Sequence, residues 1–498
     1  MKHGNINHSY RIFGFILLAA PLALIQQGCS SKFLEVDPQG KQPTSLFWQT
    51  QDDAAKAVTG AYSGLRSWPN VAFAAIAIES LGSDDTEKGS TAGDATFMND
   101  FDNFTVSSTQ GQIQDFWSGQ YQNINNCNQV LDNIPAISMD AGLKSRYMAE
   151  VKFIRAYSYF RLVRAFGPVP LRLHVPKDAS EFNIPRSSKD SVYAAIEQDL
   201  NDAASVLPQS YPATDIGRIT RGAALALHAK VSMYQKKWAD VLSYTTQVMG
   251  LGYSLFPNYG QQFRIANENN SEEIFEIQCT YLASNIDASN SQYSQVQANK
   301  DASPSVGWGF NVPTQNLVNE YETGDPRKEA TIMFAGETTP EGDVVPAANP
   351  GSPTMYNQKS YVPFPLAVVD NQGADQDVRV IRYADVLLMN AEAANEQNNS
   401  AQALLSLEQV RARARAGNNT ILPKVVTTDQ TALRNAIWHE RRVELAMEFD
   451  RYFDVIRQGR GATVFGPKGW KAGKNEVWPL PQNEIDLSAG VLTQNAGY

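Results

Sequence analysis

Apolar residues recur at helical spacing along much of this chain. In RGAALALHAKVSMYQKKWADV, Ala224, Leu227, Val231, Tyr234 and Trp238 follow at intervals of 3, 4, 3 and 4, which places one apolar stripe on a helix. In KSRYMAEVKFIRAYSYFRLVRAFGPVP the stripe is Tyr147, Val151, Ile154 and Tyr157, and Gly167 with Pro168 predicts where the helix stops. IRYADVLLMNAEAANEQNNS carries Ile381, Ala384, Leu388 and Ala391. A short polar turn and a further helix with Ala403, Leu407, Val410 and Ala414 follow it. The strand-like EEIFEIQCTYL interrupts this helical pattern.

Two of these regions match without gaps at an offset of 162 residues: Ala229, Gln235, Ala239, Leu242, Gln247 and Val248 against Ala391, Gln397, Ala401, Leu404, Gln409 and Val410. Each reads as helix, short turn, helix, with alanines where two helices approach closely. That is the logic of a tetratricopeptide-like repeat, whose units cannot bury an apolar face alone and must stack. The units are dispersed, so the scaffold must carry insertions. Residues 83–114 and 284–312 are rich in Ser, Asn, Gln, Gly and Asp with isolated aromatics, and 335–375 is rich in Pro and Gly. Loops this long in a compact protein are usually functional or disordered, and the aromatics argue for function.

The N-terminus has a different pattern. Ile12 to Ile25 is a 14-residue uncharged run behind Lys2 and Arg11, too short for a bilayer-spanning helix, which needs roughly 17–25 residues. A basic start, a short apolar run and small residues after it form a secretory signal. Cys29, directly after Gly28, stands where a bacterial lipoprotein cysteine is acylated, although Gln26 and Gln27 replace the usual aliphatic and small residues before it. Residues 1–28 are therefore expected to be a signal peptide and 29–45 a lipidated linker. Residues 46–498 are expected to form one domain with halves of about 46–250 and 270–498. Several acyl chains on Cys29 give stable anchoring where one would be marginal. Only Cys127 and Cys279 remain, both expected as buried thiols, so no disulfide framework is expected.

Charge and motifs narrow the function. With 42 Lys+Arg against 52 Asp+Glu the net charge is −10, a field that opposes nucleic acid. No HExxH, GxSxG or P-loop occurs, and His228 among alanines reads as a packed histidine. No cofactor is expected. Calcium is the one cation considered, through Asp84, Asp85 and Glu87.

Five stretches, in this order, resemble the SusD/RagB family of outer-membrane nutrient-binding lipoproteins of Bacteroidetes. They are CSSKFLEVDPQG, RAYSYFRLVRAFGPVPL at 155–171, RYADVLLMNAEA at 382–393, HERRVELAMEFDRYFDVIRQG at 439–459, and the ending VWPLPQNEIDLSAGVLTQNAGY. The resemblance implies an all-α fold on tetratricopeptide-like helix pairs with few short strands, ligand contacts on inserted loops, and no enzymatic activity. It implies a lipid-anchored position on the outer membrane facing outward. The expected partner is a SusC-type TonB-dependent transporter, to which the protein passes a captured glycan or oligosaccharide. The alternative is a lid gating uptake of peptides or another nutrient with little glycan binding of its own. Within the 439–459 stretch, Arg441–Glu444, Glu448–Arg451, Arg451–Asp454 and Asp454–Arg457 are spaced as i,i+3 pairs. Glu444 and Glu448 among these arginines are expected to have depressed pKa values, unsuited to a glycosidase acid.

Sugar binding calls for flat aromatic faces against pyranose C–H surfaces and planar polar groups for the hydroxyls. The first loop offers Asp84, Asp85, Phe97, Asn99 and Phe101; the second offers Tyr293, Asn299, Lys300 and Trp308. The ligand-binding set expected is Asp84, Asp85, Phe97, Asn99, Tyr293 and Trp308. Trp308 leads, because an indole between Gly307 and Gly309 is poorly covered by its own neighbours.

Overall fold

The computed structural model describes residues 47–282, 291–300, 307–367 and 374–498; the apolar N-terminal run and Cys29 lie outside the described residues. The scaffold helices are α1 (Gln51–Leu65), α2 (Gly111–Asn133), α3 (Ala141–Phe166), α4 (Lys189–Val206), α5 (Arg221–Tyr234), α6 (Trp238–Met249), α7 (Tyr383–Glu396), α8 (Ser400–Arg415) and α9 (Gln430–Glu444). Many of their starts follow one rule. Thr50, Asp140, Ser188, Thr220, Asn399 and Asp429 each accept a hydrogen bond from the backbone N–H three residues on, satisfying a donor that the first turn cannot. α3 ends at Gly167, at φ 76°, where the sequence predicts the stop.

From α2 to α8 each helix packs on the next, and α9 closes against α7. α6 and α7 pack together although residues 250–382 intervene, so the two matching helix pairs are neighbours in space. Asn390 on α7 donates to the Thr245 hydroxyl on α6 at 3.0 Å, deep in that seam. The repeat extends to backbone geometry. Lys236 and Asn398, 162 positions apart, occupy the same turn site at φ 57° and 59°. Trp238 therefore opens α6 instead of continuing the stripe of α5, and Ile381 lies in a strand before α7. In both places the spacing looked continuous because a tight turn or a strand end can preserve it by chance.

The strands form four two-stranded antiparallel sheets: β1 (Thr86–Gly89) with β5 (Phe310–Pro313), β2 (Val169–Pro170) with β3 (Arg186–Ser187), β4 (Glu273–Ile277) with β8 (Val378–Arg382), and β6 (Ile332–Phe334) with β7 (Met355–Asn357). The first pairing, Thr86 opposite Pro313 and Gly89 opposite Phe310, brings the first and second insertions together. One hydrophobic core draws on residues from Ala54 to Leu480.

The 439–459 stretch departs from a continuous helix. α9 ends at Glu444, Met447 and Phe449 turn at φ 67° and 66°, and a new helix runs Arg451–Arg457. Of the four i,i+3 pairs, the structure forms Asp454–Arg457, at 2.7 Å. The other charges reach across the fold: Arg441 pairs with Asp385, Asp450 and Asp454, and Arg451 with Asp84. The break at Leu445 turns these side chains toward distant partners.

Candidate functional site

Trp308 sits in a cluster of partly exposed rings. Its centroid is 5.6 Å from that of Trp68 and 5.7 Å from that of Phe73, and those two are 5.6 Å apart. Phe310, buried beneath, meets Phe73 edge-on at 4.8 Å. Trp68 opens a single helical turn, Trp68–Val71, in which Pro69 occupies a first-turn position where its missing N–H costs nothing. Phe73 opens the next turn, Phe73–Ile76.

The local chain explains why Trp308 needs its glycines. Its N–H donates to the Gln295 carbonyl at 3.1 Å, and that of Gly309 to the Ala298 carbonyl at 2.9 Å. A Cβ at Gly307 would lie 2.4 Å from that of Ala298, and Gly309 adopts φ 69°. The indole is thereby pinned against the helix Gln292–Gln297, which itself packs on Trp68–Val71. Lys300 ties the insertions again, its Nζ 3.0 Å from Ser90 Oγ and 3.1 Å from Asp94 Oδ2.

The other expected residues are placed differently. Phe97 is 41 % exposed on the turn Thr96–Met98, and Asn99 is half-buried at the start of Asn99–Asp102. Phe101 is buried against Trp478 at 5.4 Å. Asn299 is buried, and Tyr293 is buried with its ring edge-on to Phe449 at 5.7 Å.

Asp84 and Asp85 require a correction: neither carboxylate faces an open surface. Asp84 accepts 2.8 and 2.9 Å hydrogen bonds from Arg451 and lies 2.9 Å from Arg442, which also holds Asp85 at 2.8 Å. Burial pushes both carboxyls up. For Asp84 the two guanidinium groups outweigh it and the net shift is down; for Asp85 burial prevails. The C-terminal segment folds back beneath the loop, which the local sequence does not reveal. These arginines also stand where a calcium ion at Asp84 and Asp85 would need to be.

Glu444 meets Arg327 at 3.0 Å, Arg382 at 2.6 Å and also Arg413; Glu448 meets Arg382 at 2.8 Å and Lys359 at 2.6 Å. Burial raises both pKa values, yet the cations prevail and hold both below the ordinary carboxylate range. Neither can hold a proton for a leaving group near neutral pH. Glu322, His439 and Glu440 bring metal-ligating atoms within 4.8 Å of one another. Arg411 already bridges the two glutamates there, at 2.9 and 2.6 Å. Cys127 is buried and Cys279 half-buried, neither in a disulfide among the described residues, and burial pushes both thiols up.

The reading of the sequence missed Trp68 and Phe73. The available signal was two aromatics five residues apart around Pro69 in SWPNVAF, between helical segments.

Stacked helix pairs carrying long insertions define this chain as a helical-repeat protein. The chain belongs to the SusD family: that family's model matches residues 271–498, and a model described as starch-binding associating with outer membrane matches residues 32–233. It is 28 % identical over 524 residues to SusD-like protein P2 of Formosa agariphila, covering 98 % of this chain and 99 % of that one. Among solved structures, a laminarin-binding SusD-like protein superposes with a TM-score of 0.76 at 31 % identity, over 90 % of this chain and all of that one. Surface glycan-binding protein A from Bacteroides thetaiotaomicron, in complex with laminarihexaose, shares the fold with a TM-score of 0.75 at 22 % identity, over 90 % of this chain and 100 % of that one.

Proposed function

We propose that this protein captures an extracellular glycan on the Trp68, Phe73 and Trp308 cluster and delivers it to a SusC-type TonB-dependent transporter. Acyl chains on Cys29 hold it on the outer face of the outer membrane. The observation that carries this reading is the cluster itself: three large, partly exposed rings drawn from two distant segments, with all three centroid separations between 5.6 and 5.7 Å. Such faces suit the C–H surfaces of pyranose rings. Phe97, exposed on the first insertion, offers a further contact, with Asn99 as a hydroxyl partner.

Each stacking contact contributes on the order of 0.5–1.5 kcal/mol beyond its area burial. A few such contacts give micromolar to millimolar affinity once the cost of association is counted. Weak binding suits a protein that must release its cargo to a transporter. The similarity to a laminarin-binding SusD-like protein at 31 % identity makes laminarin the first ligand to test.

The test is affinity electrophoresis of the soluble chain from Ser30 onward through gels containing laminarin, starch and other polysaccharides, beside Trp68→Ala and Trp308→Ala. Retardation by one polysaccharide, weakened about tenfold or more in either variant, is expected. Equal mobility of wild type in every gel would reject glycan capture and favour a gating lid for peptides or another nutrient.

A further inference from the structure

On another side of α2 lies a groove that the aromatic cluster does not use. It has a volume of about 390 Å³ and runs between α2, the 170–184 segment and the 484–492 segment. Trp117 and Tyr121 form its floor, with centroids 4.9 Å apart, and the Tyr121 hydroxyl donates to the Pro170 carbonyl at 2.7 Å. Phe182 stands on one wall, 57 % exposed, facing water with a full aromatic side chain.

Phe182 is held in that position. Asp178 caps the turn Ala179–Glu181 by accepting from the Ser180 N–H at 2.9 Å, and Glu181 accepts from the Lys177 N–H at 2.8 Å. Arg172, also lining the groove, donates to the Glu181 carbonyl at 2.6 Å and to the Phe182 carbonyl. These four hydrogen bonds fix the backbone of the short turn that carries Phe182.

The polar lining is of a kind that matches hydroxyl groups. The side-chain amides of Asn125 and Asn183 have no partner among the described residues, so both keep their donors and acceptors available. The charged groups are already engaged: Arg172 with the two carbonyls, and Glu484 with Gln114 at 2.8 Å. Arg172 and Glu484 are opposite in sign, so the lining has no net charge, and aromatic faces with open planar amides fit the C–H faces and hydroxyls of a neutral sugar.

The same helix serves both places. A Cβ at Gly119 would come 2.7 Å from Pro69 Cβ and 2.8 Å from Asn70 Oδ1, so the missing side chain lets Trp68–Val71 settle on α2. Trp117 and Tyr121, two residues to either side, turn toward the groove.

We propose that this groove is a second glycan-contact site, taking a neutral saccharide unit against Phe182 and Tyr121 with Asn125 and Asn183 on its hydroxyls. This rests on the glycan-binding reading above and extends it to a separate surface. A polymer held at two places gains avidity without tighter single contacts.

The experiment combines Phe182→Ala, Phe182→Trp and Trp308→Ala, singly and as the double alanine variant, in affinity electrophoresis against laminarin and starch, with thermal melts as the folding control. Phe182→Ala is expected to melt like wild type, because the ring is exposed, and to weaken retention about five- to tenfold. Phe182→Trp should restore it, and the double variant should bind less than Trp308→Ala alone. Unchanged retention in Phe182→Ala, with loss in Trp308→Ala, would overturn the second site and leave the first intact; a protein-docking role for the groove would give that result. Loss in Phe182→Ala with none in Trp308→Ala would support the groove and reject the first cluster. Wild-type protein that binds no glycan would overturn both.

Discussion

The aromatic cluster around Trp308 and the ion cluster around Glu444 are both assembled from segments far apart in sequence, yet they meet water in opposite ways. Trp68, Phe73 and Trp308 are apolar and partly exposed. Glu444, Arg327 and Arg382 are charged and at most 1 % exposed. Both run against the ordinary sorting of residues by polarity. An exposed ring costs little and needs no partner. A buried charge survives only with partners, and Glu444 has three arginines. The ion cluster ties α8, α9 and β8 to one another and, through Lys359, to the 335–375 insertion.

Breaking the ion cluster should give the largest effect. Arg382→Met leaves Glu272, Glu444 and Glu448 short of a cation, and truncating one member of a buried pair typically costs about 3–5 kcal/mol. Chemical denaturation should show that loss. Stability close to wild type would mean that the cluster is dispensable to the frame.

A second buried group sharpens the contrast by having too few cations. Glu268, Glu273, Glu276 and Asp377 share Arg379. Burial is the main cause of their raised values: Glu268 reaches about 7, and Glu276 and Asp377 about 8. A carboxyl with a raised folded pKa contributes stability that is full below its ordinary value near 4 and is lost as pH climbs to the folded value. Denaturation midpoints should therefore fall between pH 5 and pH 8 and level off above. Glu276→Gln should flatten that slope. A slope unaltered by the substitution would remove Glu276 as a source.

The aromatic cluster should answer in binding and hardly in stability. Trp308→Ala is expected to weaken glycan retention about tenfold or more, as each ring supplies on the order of 1 kcal/mol beyond its area. Its melting temperature should move far less than that of Arg382→Met. A variant that unfolds early while the remaining folded protein still binds would assign Trp308 to the frame.

The smallest effect concerns the repeat. Lys236 holds a left-handed turn that costs a side chain about 1–2 kcal/mol relative to glycine, partly offset by the greater chain entropy of glycine when unfolded. Lys236→Gly should stabilise by up to about 1 kcal/mol. Asn398→Gly, at the matching site, should gain less because asparagine tolerates this region. Equal gains would show that residue type at this turn does not matter.

The helices were legible because each signal is local. Caps such as Asp140 and Thr220, the stripe of α3 and its stop at Gly167 depend on residues within a few positions. The match between 229–248 and 391–410 was legible for the same reason, even to the turn that Lys236 and Asn398 share. Errors arose where a spacing crossed an element boundary, at Trp238, Ile381 and Leu445. At the site, the glycines beside Trp308 were a usable clue, while Asp84 and Asp85 misled because an acidic pair in a loop looks the same whether it faces water or an arginine.

Residue order thus carried the elements, the family and the presence of aromatic-bearing insertions, all of which rest on short-range pattern. It did not carry which rings meet, that Arg442 and Arg451 close over Asp84 and Asp85, or that Trp117 and Phe182 frame a groove. Those facts depend on contacts between residues tens to hundreds of positions apart, and burial and pairing, which set the energy of a charge or a ring, exist only once those contacts form.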